Sequence, residues 1–191
     1  MDRKQETETT PKRLRFHEVD SGSWPDFARL FEERGGPKNC WCMVWRATPE
    51  EAKQRSGADR RAQIQVRVNE SIPIGLLGYL DDEPVAWCSI APRETYRDLG
   101  GPPVATDQER IWSLVCFFIK RQLRGEGVSR QLIEAAIAHA KKHGANIIEA
   151  YPVDRDSPSY RFMGFLDMFD AAGFEQIGRA GQRRHIMRLT V

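Results

Sequence analysis

One stretch constrains this chain more than any other: residues 111–144 read as a strand, a basic turn with two glycines, and a helix. Ile111-Trp112-Ser113-Leu114-Val115-Cys116-Phe117-Phe118-Ile119 is apolar enough for a buried strand. Arg124-Gly125-Glu126-Gly127-Val128-Ser129 follows within a few residues and opens an amphipathic helix that ends at His143-Gly144. The first N–H groups of a helix have no intrahelical partner and lie at the positive end of its dipole, so they form an anion site. Gly125 and Gly127 let the backbone close on a phosphate that a side chain would hold off. Arg124, with Arg121 and Arg130 close by, adds charge-assisted donors. The order strand, turn, helix predicts a pyrophosphate cradle.

Helix phase supports this reading. Val128, Leu132, Ile133, Ala136, Ile137 and Ala140 recur at helical spacing, and Arg130, Glu134, Lys141 and Lys142 fall largely on the other side. Lys141, Lys142 and His143 complement the C-terminal dipole, and Gly144 suits the position after it. The turn lacks the Gly-Lys-Ser/Thr of a Walker loop and the Gly-x-Gly-x-x-Gly of a dinucleotide fold.

The stretch resembles the cofactor-binding motif of the GCN5-related N-acetyltransferase (GNAT) superfamily, Arg/Gln-x-x-Gly-x-Gly/Ala, which follows the fourth strand and opens the third helix of that fold. Two registers fit, Gln122-x-x-Gly125-x-Gly127 and Arg124-x-x-Gly127-x-Ser129. Family members carry two large apolar residues three and four positions after the motif. Counting from Ser129 meets Leu132 and Ile133, whereas counting from Gly127 meets Arg130 and Gln131, so the second register is preferred, with Ser129 standing where Gly or Ala is usual.

The rest of the chain orders itself around this unit. Residues 1–12 are polar and Thr-rich and read as a flexible tail, leaving one domain over residues 13–191. A strand is expected near residues 14–19, and a helix from Ser23 to about Glu33. Thr48-Pro49-Glu50-Glu51 reads as a helix start, and a further helix covers about residues 58–69. A hairpin of residues 75–80 and 84–90 turns at Asp81-Asp82-Glu83, and a long irregular connection precedes Ile111. Beyond Gly144 a strand over residues 146–151, a helix over residues 160–172 and strands near 174–177 and 185–189 complete the chain. This order matches the acetyltransferase fold over nearly the whole length. The resemblance therefore implies an α/β (α+β) single domain: a mixed, mostly antiparallel sheet of six to seven strands with helices on both faces.

With 191 residues and a formal net charge of +2, the chain is less basic than a non-specific nucleic-acid binder. It has no apolar run of about 18 residues to span a bilayer and no signal-peptide pattern, so a cytoplasmic protein without a membrane partner is expected. Cys40 and Cys42 stand too close together for a zinc knuckle, and Cys88 and Cys116 lie in apolar runs; free thiols and no metal are expected.

The resemblance also implies chemistry. Acetyl-CoA would lie where the fourth and fifth strands splay apart, its pantetheine on backbone at Phe117, Phe118 and Ile119. Its pyrophosphate would meet Arg124, Gly125, Glu126, Gly127, Val128, Ser129 and Arg130. A primary amine of a small molecule would attack the thioester directly, through a tetrahedral intermediate. The Tyr that many members use as acid is Phe169 here, a Glu that some use as base corresponds to Ser113, and an Asn that meets pantetheine corresponds to Phe162. Glu149, Tyr151, Asp154 and Tyr160 are the replacement candidates; Tyr151 as acid and Glu149 as base, on one face of the fifth strand by alternation, are singled out, the alternative being a salt-bridged Glu and a packed Tyr. A thiol at Cys116 suggests an acyl-enzyme, but core packing accounts for it as well.

Trp41, Trp45 and Arg46 are candidate acceptor-lining residues, the alternative being that the two tryptophans form one helix face packed into the core. Two other functions fit the same fold. An aminoacyl-tRNA donor is suggested by the basic run Arg179, Arg183, Arg184, His185 and Arg188. A non-catalytic acyl-CoA sensor is suggested by Phe169 and Phe162. A homodimer is compatible with each.

Overall fold

The computed structural model describes residues 13–191, so the expected tail lies outside the described residues. The strands are β1 (Arg15–Glu18), β2 (Leu76–Leu80), β3 (Glu83–Pro92), β4 (Ile111–Ile119), β5 (Ile147–Ala150), β6 (Glu175–Ala180) and β7 (Arg184–Thr190). The helices are α1 (Trp24–Glu32), α2 (Gly57–Asn69), α3 (Val128–Lys142) and α4 (Leu166–Asp170). One sheet runs in the order β1-β2-β3-β4-β5-β7-β6. Its neighbours are antiparallel except β4 and β5, which are parallel. Parallel neighbours need a crossover, and α3 supplies it.

Strand alternation divides the core into two layers. Leu76 and Cys88 pack with Leu132, Ile133, Ala136 and Ala140 of α3. Leu77 and Trp87, next to them in sequence, pack with Phe27, Leu30 and Phe31 of α1 and Ile64 and Val68 of α2. Helices thus cover both faces, as the fold class requires. The β2–β3 turn holds Asp81 and Asp82 at φ +49° and +67°, the two left-handed residues of a tight hairpin.

Three local expectations change. Thr48 and Glu51 make the reciprocal hydrogen bonds of a helix start, Thr48 N–H to Glu51 Oε2 at 2.8 Å and Glu51 N–H to Thr48 Oγ1 at 3.2 Å. Only a 3-10 turn, Glu51–Lys53, follows. Arg67 of α2 holds the Glu51 carboxylate with two bonds of 2.8 Å, Gln63 donates to the Glu51 carbonyl, and a second capping box at Ser56 and Asp59 starts α2 in a new direction.

The segment carrying Trp41 and Trp45 is not helical, because Trp41 and Cys42 have φ +46° and +58°. The two indoles enter different clusters, Trp41 with α1 and α2, and Trp45 beside Tyr151 and Met163. The helix expected over residues 160–172 is split into a 3-10 turn, Arg161–Met163, and α4. Gly164 divides them at φ +88°, and Phe165 on its far side bridges to Val153. A Cβ on Gly164 would lie 2.9 Å from the Phe169 ring and 3.4 Å from the Phe117 ring, so ring packing demands a glycine there.

Candidate active site

The parallel ladder is short. It pairs Ile111 with Ile147 through Leu114 with Ala150 and then ends, while β4 runs on to Ile119 against β3 alone. A bulge accompanies the parting: Cys116 opposes Ser89 and Leu114 opposes Ile90, so the ladder skips Val115. From Ile111 to Val115 the strand is buried, and from Cys116 to Ile119 it is half-buried. β4 and β5 therefore form a fork with its vertex at Leu114 and Ala150; among the described residues no strand pairs with the β5-facing edge of β4 beyond it, and the 3-10 turn Arg161–Met163 packs near β4.

At the far end of β4 the chain is pinned. Lys120 is ion-paired with Glu33 at 2.8 Å and Glu83 at 2.5 Å, and Arg124 Nε donates to the Ile119 carbonyl at 3.0 Å. Gly125 and Gly127 are left-handed, at φ +85° and +75°, and a Cβ on either would meet nothing within 4 Å. These glycines serve a turn that opens onto space. Gly127 caps α3 without a side-chain bond, so among the described residues no cap side chain takes up the first amides of this 15-residue helix. Leu132 and Ile133 are both buried, the helix phase that the Arg124-x-x-Gly127-x-Ser129 register needs.

A cleft of about 920 Å³ joins the two features. Phe117, Phe118, Ile119, Arg124, Gly125, Gly127, Val128 and Ser129 line it, while Glu126 and Arg130 do not. Arg130 points to solvent and pairs with Glu134 at 2.8 Å. The sequence reading missed Arg155 and Arg161 on the facing wall, whose guanidiniums lie 5.1 and 4.9 Å from the Phe165 ring centre. The signal for them was two arginines bounding a polar Ser-Pro-containing loop, with Tyr160, Phe162 and Phe165 at its end. Phe162, singled out as a departure from the family, also lines this wall.

Cys40, Cys42 and Cys116 line the same cleft as free thiols. Trp87 Nε1 donates to Cys42 Sγ at 3.2 Å. The Cys42 thiol is lowered from its ordinary value by hydrogen bonding from Cys116, with help from Trp87 and the Arg46 charge, and Cys116 is raised in turn.

The residues expected to be acid and base lie elsewhere. Glu149 is fully buried, and its carboxylate accepts from Arg188 Nε at 2.8 Å and Arg93 Nη1 at 3.2 Å. Tyr151, also fully buried, donates its hydroxyl to Glu149 Oε2 at 2.5 Å. Burial and the adjacent carboxylate push its phenol above the ordinary range. The segment at Gly101 packs directly on the pair: a Cβ there would stand 2.7 Å from Glu149 Oε2 and 2.9 Å from Tyr151 Oη. Neither residue lines the cleft. Phe169 is buried in edge-to-face contact with Phe117 and Phe174, which accounts for a ring without a hydroxyl.

Of the acceptor candidates, Trp41 is a core residue, 2% exposed and stacked on Phe31. Arg46 is a buried clamp that donates to the Ile74 carbonyl, Ser89 Oγ and Tyr96 Oη at 2.9, 3.1 and 2.6 Å. Its guanidinium is consumed inside the fold. Trp45 alone keeps surface, under the Arg184 guanidinium at 4.5 Å and 6.1 Å from Tyr160, which in turn lies 6.3 Å from Phe162. The basic C-terminal run does not form one face: Arg184 donates to the Leu99 carbonyl, Arg188 holds Glu149, and His185 is buried between Gln176 and Asp154. Among the described residues no helix is long and apolar enough to cross a membrane.

A mostly antiparallel sheet whose parallel pair parts into a fork, over the glycine-capped start of the crossover helix, is the arrangement of an acetyltransferase fold. The chain belongs to the GNAT acetyltransferase family, whose model matches residues 38–165. No curated protein sequence matches it. Solved structures share the fold. An uncharacterised protein from Bacillus halodurans is 14% identical with a TM-score of 0.61, over 93% of this chain and 83% of that one. The aminoglycoside acetyltransferase AAC(6')-Ib, in complex with coenzyme A, is 16% identical with a TM-score of 0.58, over 93% and 95%. The PaiA N-acetyltransferase from Thermoplasma acidophilum, also in complex with coenzyme A, is 12% identical with a TM-score of 0.54, over 94% and 99%.

Proposed function

We propose that this chain transfers an acetyl group from acetyl-CoA to a primary amine of a small molecule. The observation that carries the reading is a single cleft shared by the open edge of β4 and the uncapped start of α3, with two left-handed glycines facing empty space. A diphosphate suits such a helix start. When bound, acetyl-CoA supplies an activated thioester. Backbone at Phe117, Phe118 and Ile119 holds the extended pantetheine, and the amides from Gly125 to Arg130 hold the pyrophosphate, Glu126 and Arg130 through backbone only. Arg124, Arg155 and Arg161 add positive charge. The N–H at the Val115 bulge is the backbone donor for charge developing on the carbonyl oxygen.

In this reading the amine enters past Trp45, Tyr160 and Phe162, the aromatic run that leads to the cleft. Glu149 and Tyr151 act as positioning residues: their ion cluster fixes β5 to β7 and to Arg93 at the end of β3, and so holds the fork open. The small-amine class is supported by the aminoglycoside acetyltransferase among the similar folds.

The test is titration with CoA and acetyl-CoA, followed by thiol release with a panel of primary amines including polyamines and aminoglycosides. Saturable binding and turnover on at least one amine are expected. A second reading, an acyl-CoA sensor, is favoured by Phe169 and by the sealed Glu149, and predicts tight CoA binding without turnover on any amine. Absence of CoA binding rejects both.

A further inference from the structure

The end of α3 remote from the cleft carries a second set of groups. His139 and His143, four residues apart, lie on one face of the helix with ring centres 4.4 Å apart, and both rest on the Trp112 indole at 5.5 and 5.6 Å. Glu18, the last residue of β1, faces them. One ligand atom from each of Glu18, His139 and His143 lies within 4.8 Å of the other two. His143 Nε2 and Glu18 Oε2 stand 3.7 Å apart, beyond hydrogen-bond length. His139 Nε2 is buried with no hydrogen-bond partner among the described residues. A buried ring nitrogen left without a partner costs about 1–3 kcal/mol, which a bound ion on this imidazole could offset.

We propose that Glu18, His139 and His143 form a binding site for one divalent transition-metal ion, zinc by preference. Two imidazoles and one carboxylate suit zinc, with a fourth position left for water. Bonds of about 2.0–2.2 Å place tetrahedral ligand atoms about 3.3–3.5 Å apart, so the three groups must draw in slightly. Glu18 and His143, with side chains 35% and 38% exposed, have the freedom to do so while His139 stays fixed. The carbonyl end of a helix dipole also favours a cation, against the opposing charge of Lys142 close by. Fifteen residues of helix put this site about 20 Å from the cradle, so it is separate from the cofactor cleft. The ion ties the short outer strand β1 to the helix that carries the cradle, across 121 residues of sequence from Glu18 to His139.

The test uses untagged, chelator-stripped full-length protein titrated with Zn²⁺ by calorimetry and with Co²⁺ by visible absorption. One equivalent per chain is expected, with the d–d bands of a tetrahedral nitrogen–oxygen site and a melting temperature that rises with added zinc. His139→Ala, His143→Ala and Glu18→Gln should each weaken binding by at least about tenfold and remove the rise in melting temperature. CoA affinity should be unchanged in all three. Glu18→Gln alters one atom of a half-exposed side chain and keeps the test independent of folding. The double variant Cys40→Ser/Cys42→Ser should bind as the parent does. No saturable uptake, or binding that survives Glu18→Gln and His139→Ala and is lost with the cysteines, would overturn the site.

Discussion

Two glycines, Gly127 and Gly101, stand on either side of the fork and differ in what surrounds them. A Cβ on Gly127 would meet nothing within 4 Å, whereas one on Gly101 would run into Glu149, Tyr151 and Arg93 at 2.7, 2.9 and 3.2 Å. The first leaves room for a molecule that is not part of the chain, and the second leaves room for the chain itself. Around Gly127 the polar groups are backbone amides of an uncapped helix start. Around Gly101 a carboxylate already has three side-chain partners. Open valence marks the side of this fork proposed to bind the cofactor, and satisfied valence the side proposed to support it.

The largest effect should come from breaking the support. Glu149→Ala strands Arg93 and Arg188 against a buried void and should cost about 3–5 kcal/mol in denaturant unfolding, as removing one member of a buried charge cluster does. A loss below about 1 kcal/mol would show that the cluster does not brace β5. Gly127→Arg should lower CoA affinity by more than about 100-fold, or about 2.7 kcal/mol, with the fold retained. Gly127→Ala shares the left-handed strain but little of the bulk and should lose far less. Equal losses in the two variants would assign the effect to backbone strain and undo the register chosen for the cradle.

Gly101→Ala sharpens the contrast from the other side. Overpacking against Glu149 and Tyr151 should cost about 1–3 kcal/mol of stability while CoA affinity stays at the parent value, measured by thermal melting and calorimetry together. The smallest effect is expected for Tyr151→Phe, which removes one buried hydroxyl from Glu149. It should cost about 1 kcal/mol and leave kcat within about threefold. A fall in kcat of about 100-fold or more at unchanged stability would instead make Tyr151 the acid, as general acid–base groups contribute that much.

Much of the fold was legible in the sequence because its signals are local. β4 spans Ile111–Ile119 as the apolar run indicates, α3 keeps the phase set by Leu132 and Ile133, and Gly144 takes the left-handed position after the helix. The elements that differed were contested by distant groups. Thr48 and Glu51 have sound helix-start chemistry, but Arg67 claims the Glu51 carboxylate. Trp41 and Trp45 have helical spacing, but they are drawn into different clusters. On the candidate site, the glycine turn and the helix start were legible and the surroundings of Glu149 and Tyr151 were not, since a strand alternation shows only that the two share a face, and not that Arg93 and Arg188 occupy it.

By itself the sequence determined the strand, the glycine turn and the helix, because apolar periodicity, backbone freedom at glycine and dipole complement act within a few residues. It thereby determined the family and the end of the cleft where the anion is proposed to bind. Only the tertiary structure decided which polar groups are spent and which are spare. Glu149 meets partners 39 and 56 residues away, and Glu18 meets two histidines 121 and 125 residues away. Such meetings depend on the strand order and on where β4 and β5 part, which no local pattern encodes.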